Sequence, residues 1–149
     1  MSRGYLLDTS VLSVLAPGRQ PLAAEQEKWL RAQADRLFVS AITVVEVEQG
    51  IHKVRRSGGI DRAARLAAWL DGVLAFNGDR VIPVDTPVAR IAGRLSDQAF
   101  AAGRHPGLAD IAIAATALAH DLVVLTQNGK HFEPLGVANS DLAAAARSG

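Results

Sequence analysis

Three acidic residues stand where carboxylates can do chemistry as well as face water. Asp8 follows the apolar run Tyr5-Leu6-Leu7, which reads as a buried strand. In open parallel sheets ligands gather beyond the carboxyl ends of the strands, so a polar residue there is a candidate ligand. The same position suits an N-cap for the helix that begins near Ser10, and Asp8 and Ser10 fit both roles. Asp110 is the one charge between Leu108 and Leu118, beside Ile111, Ala112, Ile113, Ala114 and Ala115. A carboxylate at the head of so apolar a helix is costly to bury without a partner. Its alternative is a first-turn acid favoured by the helix dipole. Glu46 closes the tetrad Thr43-Val44-Val45-Glu46, a capping box in which Glu46 would fold back on the Thr43 amide. Neither Glu46 nor Glu48 lies on the Val44, Val47, Ile51, Val54 stripe, so helical spacing leaves its role open.

Acids from three separate segments, with no cysteine and no paired histidines, suit Mg²⁺ or Mn²⁺ better than zinc. A divalent ion held by carboxylates can activate water and orient a phosphodiester, so an acidic pocket can cleave an acidic polymer. His52, His105 and His120 show no zinc-ligand spacing, and no dinucleotide fingerprint, phosphate-binding loop or G-x-S-x-G elbow is present. The densest basic stretch is Lys53, Arg55 and Arg56, continued by Arg62 and Arg65. It can hold a nucleic-acid backbone or form an ordinary solvated helix face.

The elements that must position these residues follow from apolar periodicity. Strands are expected at Tyr5-Leu6-Leu7, Leu37-Phe38-Val39, Val81-Ile82-Pro83-Val84 and Leu122-Val123-Val124-Leu125, the third at an edge because of its proline. Helices are expected from Ser10 to the Pro17-Gly18 break, over Leu22 to Ala34, from Thr43 to Ser57, and from Asp61 to Asn77. Two more follow, from Thr86 as N-cap with Pro87 at the first position through Phe100, and over Leu108 to Leu118. Strands alternating with helices imply a parallel sheet covered on both faces. The alanine-rich tail, Leu142 to Gly149, is expected to fray.

At 149 residues and 49% hydrophobic content, one domain over residues 1–149 is expected. Lys and Arg number 16 against 15 Asp and Glu, so a nucleic-acid partner would have to be met by a local patch or by bound cations. No run approaches the roughly 20 apolar residues of a membrane span, and the N-terminus does not read as a leader, which points to a soluble cytoplasmic protein without a membrane partner. Without cysteine there is no disulfide scaffold, thiolate zinc site or Cys nucleophile.

Four blocks carry a resemblance to a known family: Leu6-Leu7-Asp8-Thr9-Ser10-Val11-Leu12, Val39 to Gly50, Ala109 to Ala117, and Leu125-Thr126-Gln127-Asn128-Gly129-Lys130-His131-Phe132. In order, spacing and span they resemble the PIN-domain ribonucleases, most closely toxins of the VapC and FitB kind. The resemblance implies a three-layer α/β/α fold around a mostly parallel sheet. It implies an endoribonuclease using Mg²⁺ or Mn²⁺, with Asp8, Glu46 and Asp110 as the metal-binding catalytic acids and Ser10, Thr126 and Asn128 as supporting polar residues. It also implies RNA as substrate, a cognate antitoxin protein and a homodimer. The position that often carries a fourth acid is His131 here, so one firmly held ion is expected over two. A non-enzymatic interaction module on the same fold is the rival reading. A phosphoacceptor arrangement, with Asp85 after a strand and Thr126 and Lys130 downstream, lacks an acid pair at Asp8 and has too much helix between its first and third strands.

Overall fold

The structure, a computed structural model, describes residues 3–148. Met1 and Ser2, and Gly149 of the expected frayed tail, lie outside them. Five strands form one wholly parallel sheet: β1 (Tyr5–Leu7), β2 (Leu37–Ser40), β3 (Val81–Ile82), β4 (Val123–Leu125) and β5 (Asn139–Ser140), in the spatial order β3-β2-β1-β4-β5. The chain steps outward from β1 to β2 and β3, then returns to the other side of β1 for β4. The direction of winding reverses beside β1, which puts the crevice favoured by ligands at the end of the strand that leads into Asp8.

Strand alternation divides the core. Leu6 and Val124 point to one face, where α5 (Thr86–Ala101) and α6 (Leu108–His120) cover them. Leu7, Val39 and Leu125 point to the other, covered by α1 (Thr9–Val14), α2 (Ala24–Ala32), α3 (Ala41–Arg56), α4 (Ile60–Asn77) and α7 (Leu142–Ser148). The three inner strands β1, β2 and β4 are apolar in consecutive positions because helices cover both faces of the sheet. α6 is buried continuously from Ile111 to Ala117, and its alanines allow close packing against sheet and α5. The helix ends at Asp121, which adopts the left-handed conformation at φ 52°.

Several boundaries differ from the sequence expectation, each for a local reason. α3 begins two residues before Thr43, because Ser40 is its N-cap and accepts from the Ile42 amide at 3.2 Å. Thr43 lies inside the first turn, fully buried, with no hydrogen-bond partner for its hydroxyl, so the Thr43–Glu46 capping box does not form. Asp85, not Thr86, caps α5 by accepting from the Val88 amide at 3.1 Å. Asp85 also follows the edge strand β3, which β2 and β1 separate from β4, so it does not stand beside Thr126 and Lys130 as the phosphoacceptor arrangement requires. β5 was not expected, since Asn139 and Ser140 are neither apolar nor alternating. The tail does not fray over residues 142–148: α7 buries Leu142, Ala145 and Ala146 and docks on α2.

Candidate active site

The carboxyl ends of β1 and β4 lie side by side, with Leu7 paired to Leu125, so the residues that follow them meet. Asp8 accepts from the Val11 amide at 3.1 Å as the N-cap of α1. Ser10 Oγ donates to the same oxygen, Oδ1, at 2.6 Å, and Thr126 Oγ1 donates to Oδ2 at 2.6 Å. Capping and site membership are therefore compatible. Asp8 is only 5% exposed, and three donors supply what a buried carboxylate requires. The donors are themselves fixed, because Ser10 Oγ accepts from the Gln127 amide at 2.9 Å and Thr126 Oγ1 from the Asn128 amide at 2.9 Å. Asn128 thus joins through its backbone; among the described residues its side chain makes no hydrogen bond.

Glu46 reaches the same region from α3. Its Oε1 accepts from Thr9 Oγ1, the residue next to Asp8, so α1 positions two acids with consecutive residues. Thr9 was not among the sequence candidates. Its small hydroxyl between Asp8 and Ser10 reads as helix start, and only the tertiary contact with Glu46 distinguishes it.

Asp110, in the first turn of α6, completes the group. Burial raises its carboxyl pKa above the ordinary value; His131 opposes the rise, while the charges of Asp8 and Glu46 add to it. Those two repulsions show that the three acids share one electrostatic neighbourhood. His131 Nδ1 lies 3.4 Å from Asp110 Oδ2, so the residue at the usual fourth-acid position faces the third acid. Lys53, Arg55 and Arg56 are not drawn into this group. They follow Glu46 by two to three turns, roughly 10–15 Å along α3.

The donor set is carboxylate and hydroxyl oxygen, which fits a hard divalent cation and not a thiophilic one. Among the described residues no three His, Asp or Glu side chains converge closely enough, as they stand, to hold a metal ion. The residues present fit a hard divalent ion by donor chemistry. No helix of the described residues is long and apolar enough to cross a membrane.

Comparison with known proteins agrees with the geometry. The family model described as PIN domain matches residues 5–136. The chain is 36% identical over 137 residues to the VapC ribonuclease Y4jK of Sinorhizobium fredii, covering 89% of this chain and 92% of that protein. It is 31% identical over 138 residues to toxin FitB of Neisseria gonorrhoeae, covering 89% and 94%. The crystal structure of FitAcB from Neisseria gonorrhoeae superposes with a TM-score of 0.79 at 30% identity, over 93% of this chain and 98% of that one. A parallel sheet with its acids gathered where the winding reverses, matched over this span, makes the chain a member of the PIN-domain family.

Proposed function

We propose that this chain is an endoribonuclease that hydrolyses RNA phosphodiester bonds with Mg²⁺ or Mn²⁺ held at Asp8, Glu46 and Asp110, and that it is the toxin of a toxin–antitoxin pair. The observation that carries this reading is that acids from three separate elements share one field beside a carboxylate locked by Ser10, Val11 and Thr126. Kinship with a VapC ribonuclease and with toxin FitB supports it.

The protein's own contribution is positioning. Asp8 cannot rotate without breaking three hydrogen bonds, so its oxygens present fixed lone pairs at low reorganisation cost. Glu46 is oriented by Thr9, and Asp110 stands at the mouth beside half-exposed His131. A bound divalent ion would supply Lewis acidity toward the phosphodiester and lower the pKa of water. With His131 where a fourth acid would add charge, a single ion is the proposed complement. The proposal includes a cytoplasmic setting, a homodimer and a cognate antitoxin encoded by a short adjoining reading frame.

The test is RNA cleavage by protein purified free of other nucleases, with Mn²⁺, with EDTA, and for Asp8→Asn. Cleavage that requires Mn²⁺ and disappears in D8N is expected, as is relief of growth arrest by the same substitution. Cleavage retained by D8N sinks the proposal. A wild type that gains thermal stability from Mn²⁺ yet cuts no RNA would favour the non-enzymatic module.

A further inference from the structure

Two clefts leave the acids in opposite directions, and both are basic. One, of about 470 Å³, is lined by Asp110 together with Arg104, His105, Lys130 and His131. The other, of about 290 Å³, is lined by Glu46 and Thr9 together with Arg19 and Arg62. Their placement follows from topology. α3, which carries Glu46, follows β2 on one side of β1, whereas α6, which carries Asp110, leads into β4 on the other. Asp8 stands at the end of β1 between them.

The four cations in these clefts are uncommitted. Arg19, Arg62, Arg104 and Lys130 are all exposed, and among the described residues none has a carboxylate within 4.0 Å or a side-chain hydrogen bond. Arg3, Arg31, Arg36 and Arg80 are occupied, by Asp121, Glu27 and backbone carbonyls, and the other arginines unpaired among the described residues, Arg55, Arg56, Arg65, Arg90, Arg94 and Arg147, line neither cleft. Unpaired cations on either side of an acidic centre have an anion to meet, and a polymer with one charge per residue meets both sides at once. His105 is steadied for contact with a base by the edge-to-face packing of Phe100 at 5.4 Å.

Resting on the nuclease reading above, we infer that a single strand of RNA crosses the acids from the Arg104–Lys130 cleft to the Arg19–Arg62 groove, with the scissile phosphate over Asp8. The strand is single because Asp8 is almost wholly buried, and only a backbone free to bend lowers a phosphate toward it. This path makes Arg55 and Arg56 bystanders. Lys53 lies beyond Arg62 in an adjoining depression of about 370 Å³ and extends the groove.

The test measures binding of a fluorescent 12-nucleotide RNA of mixed sequence to the whole protein in EDTA, across a salt series, with cleavage in Mn²⁺ followed in parallel. Arg104→Ala with Lys130→Ala, and Arg19→Ala with Arg62→Ala, should each weaken binding roughly tenfold at moderate salt. Each pair should also flatten the slope of log affinity against log salt by about 1.4, since a single strand loses roughly 0.7 per phosphate contact. The Mn²⁺-dependent rise in thermal stability should persist in both variants, showing that the acids are intact. Affinity and salt slope unchanged in either pair, or a duplex bound as tightly as the single strand, would overturn the path. So would weakened binding to an antitoxin protein with RNA binding untouched. If wild type cuts RNA and both pairs cut and bind equally well, the path alone fails. If wild type responds to Mn²⁺ but neither binds nor cuts RNA, the nuclease reading fails with it.

Discussion

Thr126 donates its hydroxyl to Asp8 Oδ2 at 2.6 Å, joining residues 118 positions apart at the ends of adjacent strands. Because Asp8 is buried, removing that donor leaves a carboxylate oxygen with neither protein nor bulk water to satisfy it. Thr126→Val, which keeps the shape, should cost roughly 1.5–3 kcal/mol in urea unfolding, as is usual for hydrogen bonds to charged groups. Thr126→Ser should recover most of the stability and the activity. A Val variant as stable as wild type would show the bond to be idle.

Asp8 has two duties that substitution can separate. Asn caps helices about as well as Asp, so Asp8→Asn should keep the cap on Val11 and unfold within about 1 kcal/mol of wild type. It should nevertheless lose Mn²⁺-dependent stabilisation and cleavage. Asp8→Ala should lose the cap as well, at a further cost of about 1 kcal/mol. Parallel calorimetry and cleavage assays decide the matter: if D8N is inactive only because it is unfolded, the functional assignment loses this support.

For Asp110 the sign of the pH dependence follows from burial. Its carboxyl pKa is raised in the folded protein, first by desolvation, with Asp8 and Glu46 adding and His131 opposing. The folded state then holds the proton more tightly than the unfolded chain, so this contribution is present at low pH and is lost as pH rises through the folded value. Asp110→Asn removes the titration. Its melting temperature should exceed that of wild type at pH 7, and the gap should close as pH falls below 3.8, the ordinary value. A D110N protein less stable than wild type at pH 7 would contradict this. The stabilised variant should be catalytically dead, the usual relation between an active site and stability.

Much of this arrangement was legible in the sequence because the physics is local. Tyr5-Leu6-Leu7 ending at Asp8, and Leu122 to Leu125 ending at Thr126, announce buried strands with polar ends, and parallel pairing brings those ends together. Asp110 stood out because nothing else near it is charged. Glu46 was ambiguous, since a capping box and a site acid share one spacing, and Ser40 removes the capping box by starting the helix early. Thr9 and the two basic clefts were hidden because they depend on which residues the fold brings together: Arg19 and Arg62 belong to segments separated by α2, β2 and α3.

Gly129 supplies a test of the loop that carries Lys130 and His131. A Cβ there would sit 2.8 Å from Asn139 Oδ1, and Asn139 is held in β5 with its amide donating to the Val137 carbonyl at 3.2 Å. Where the Asn139 side-chain amide keeps that bond, Gly129→Ala pushes the Gly129–His131 turn away from the sheet edge, at a cost of roughly 1–3 kcal/mol, whereas an amide that swings aside makes the change cheap. His131 should move relative to Asp110, visible as a change in its imidazole resonances. Unchanged stability and resonances would mean that Asn139 yields instead.

The C-terminal helix gives the sharpest contrast between composition and packing. Leu142-Ala143-Ala144-Ala145-Ala146 reads as a biased tail, but alanine has the highest helix propensity. Asp141 starts the turn by accepting from the Ala144 amide at 2.6 Å. Positions 142, 145 and 146 then share one face, which joins the cluster containing Trp29 and Leu30. A frayed end would tolerate Leu142→Ala within about 0.5 kcal/mol, as surface positions do. With Leu142 only 2% exposed, the substitution should cost roughly 2–5 kcal/mol through lost burial and a residual cavity. Urea unfolding measures that loss, and hydrogen exchange at the Ala145 and Ala146 amides distinguishes its cause. Slow exchange in wild type that becomes fast in L142A places the helix in the cooperative core, whereas fast exchange in both would return it to a loose end.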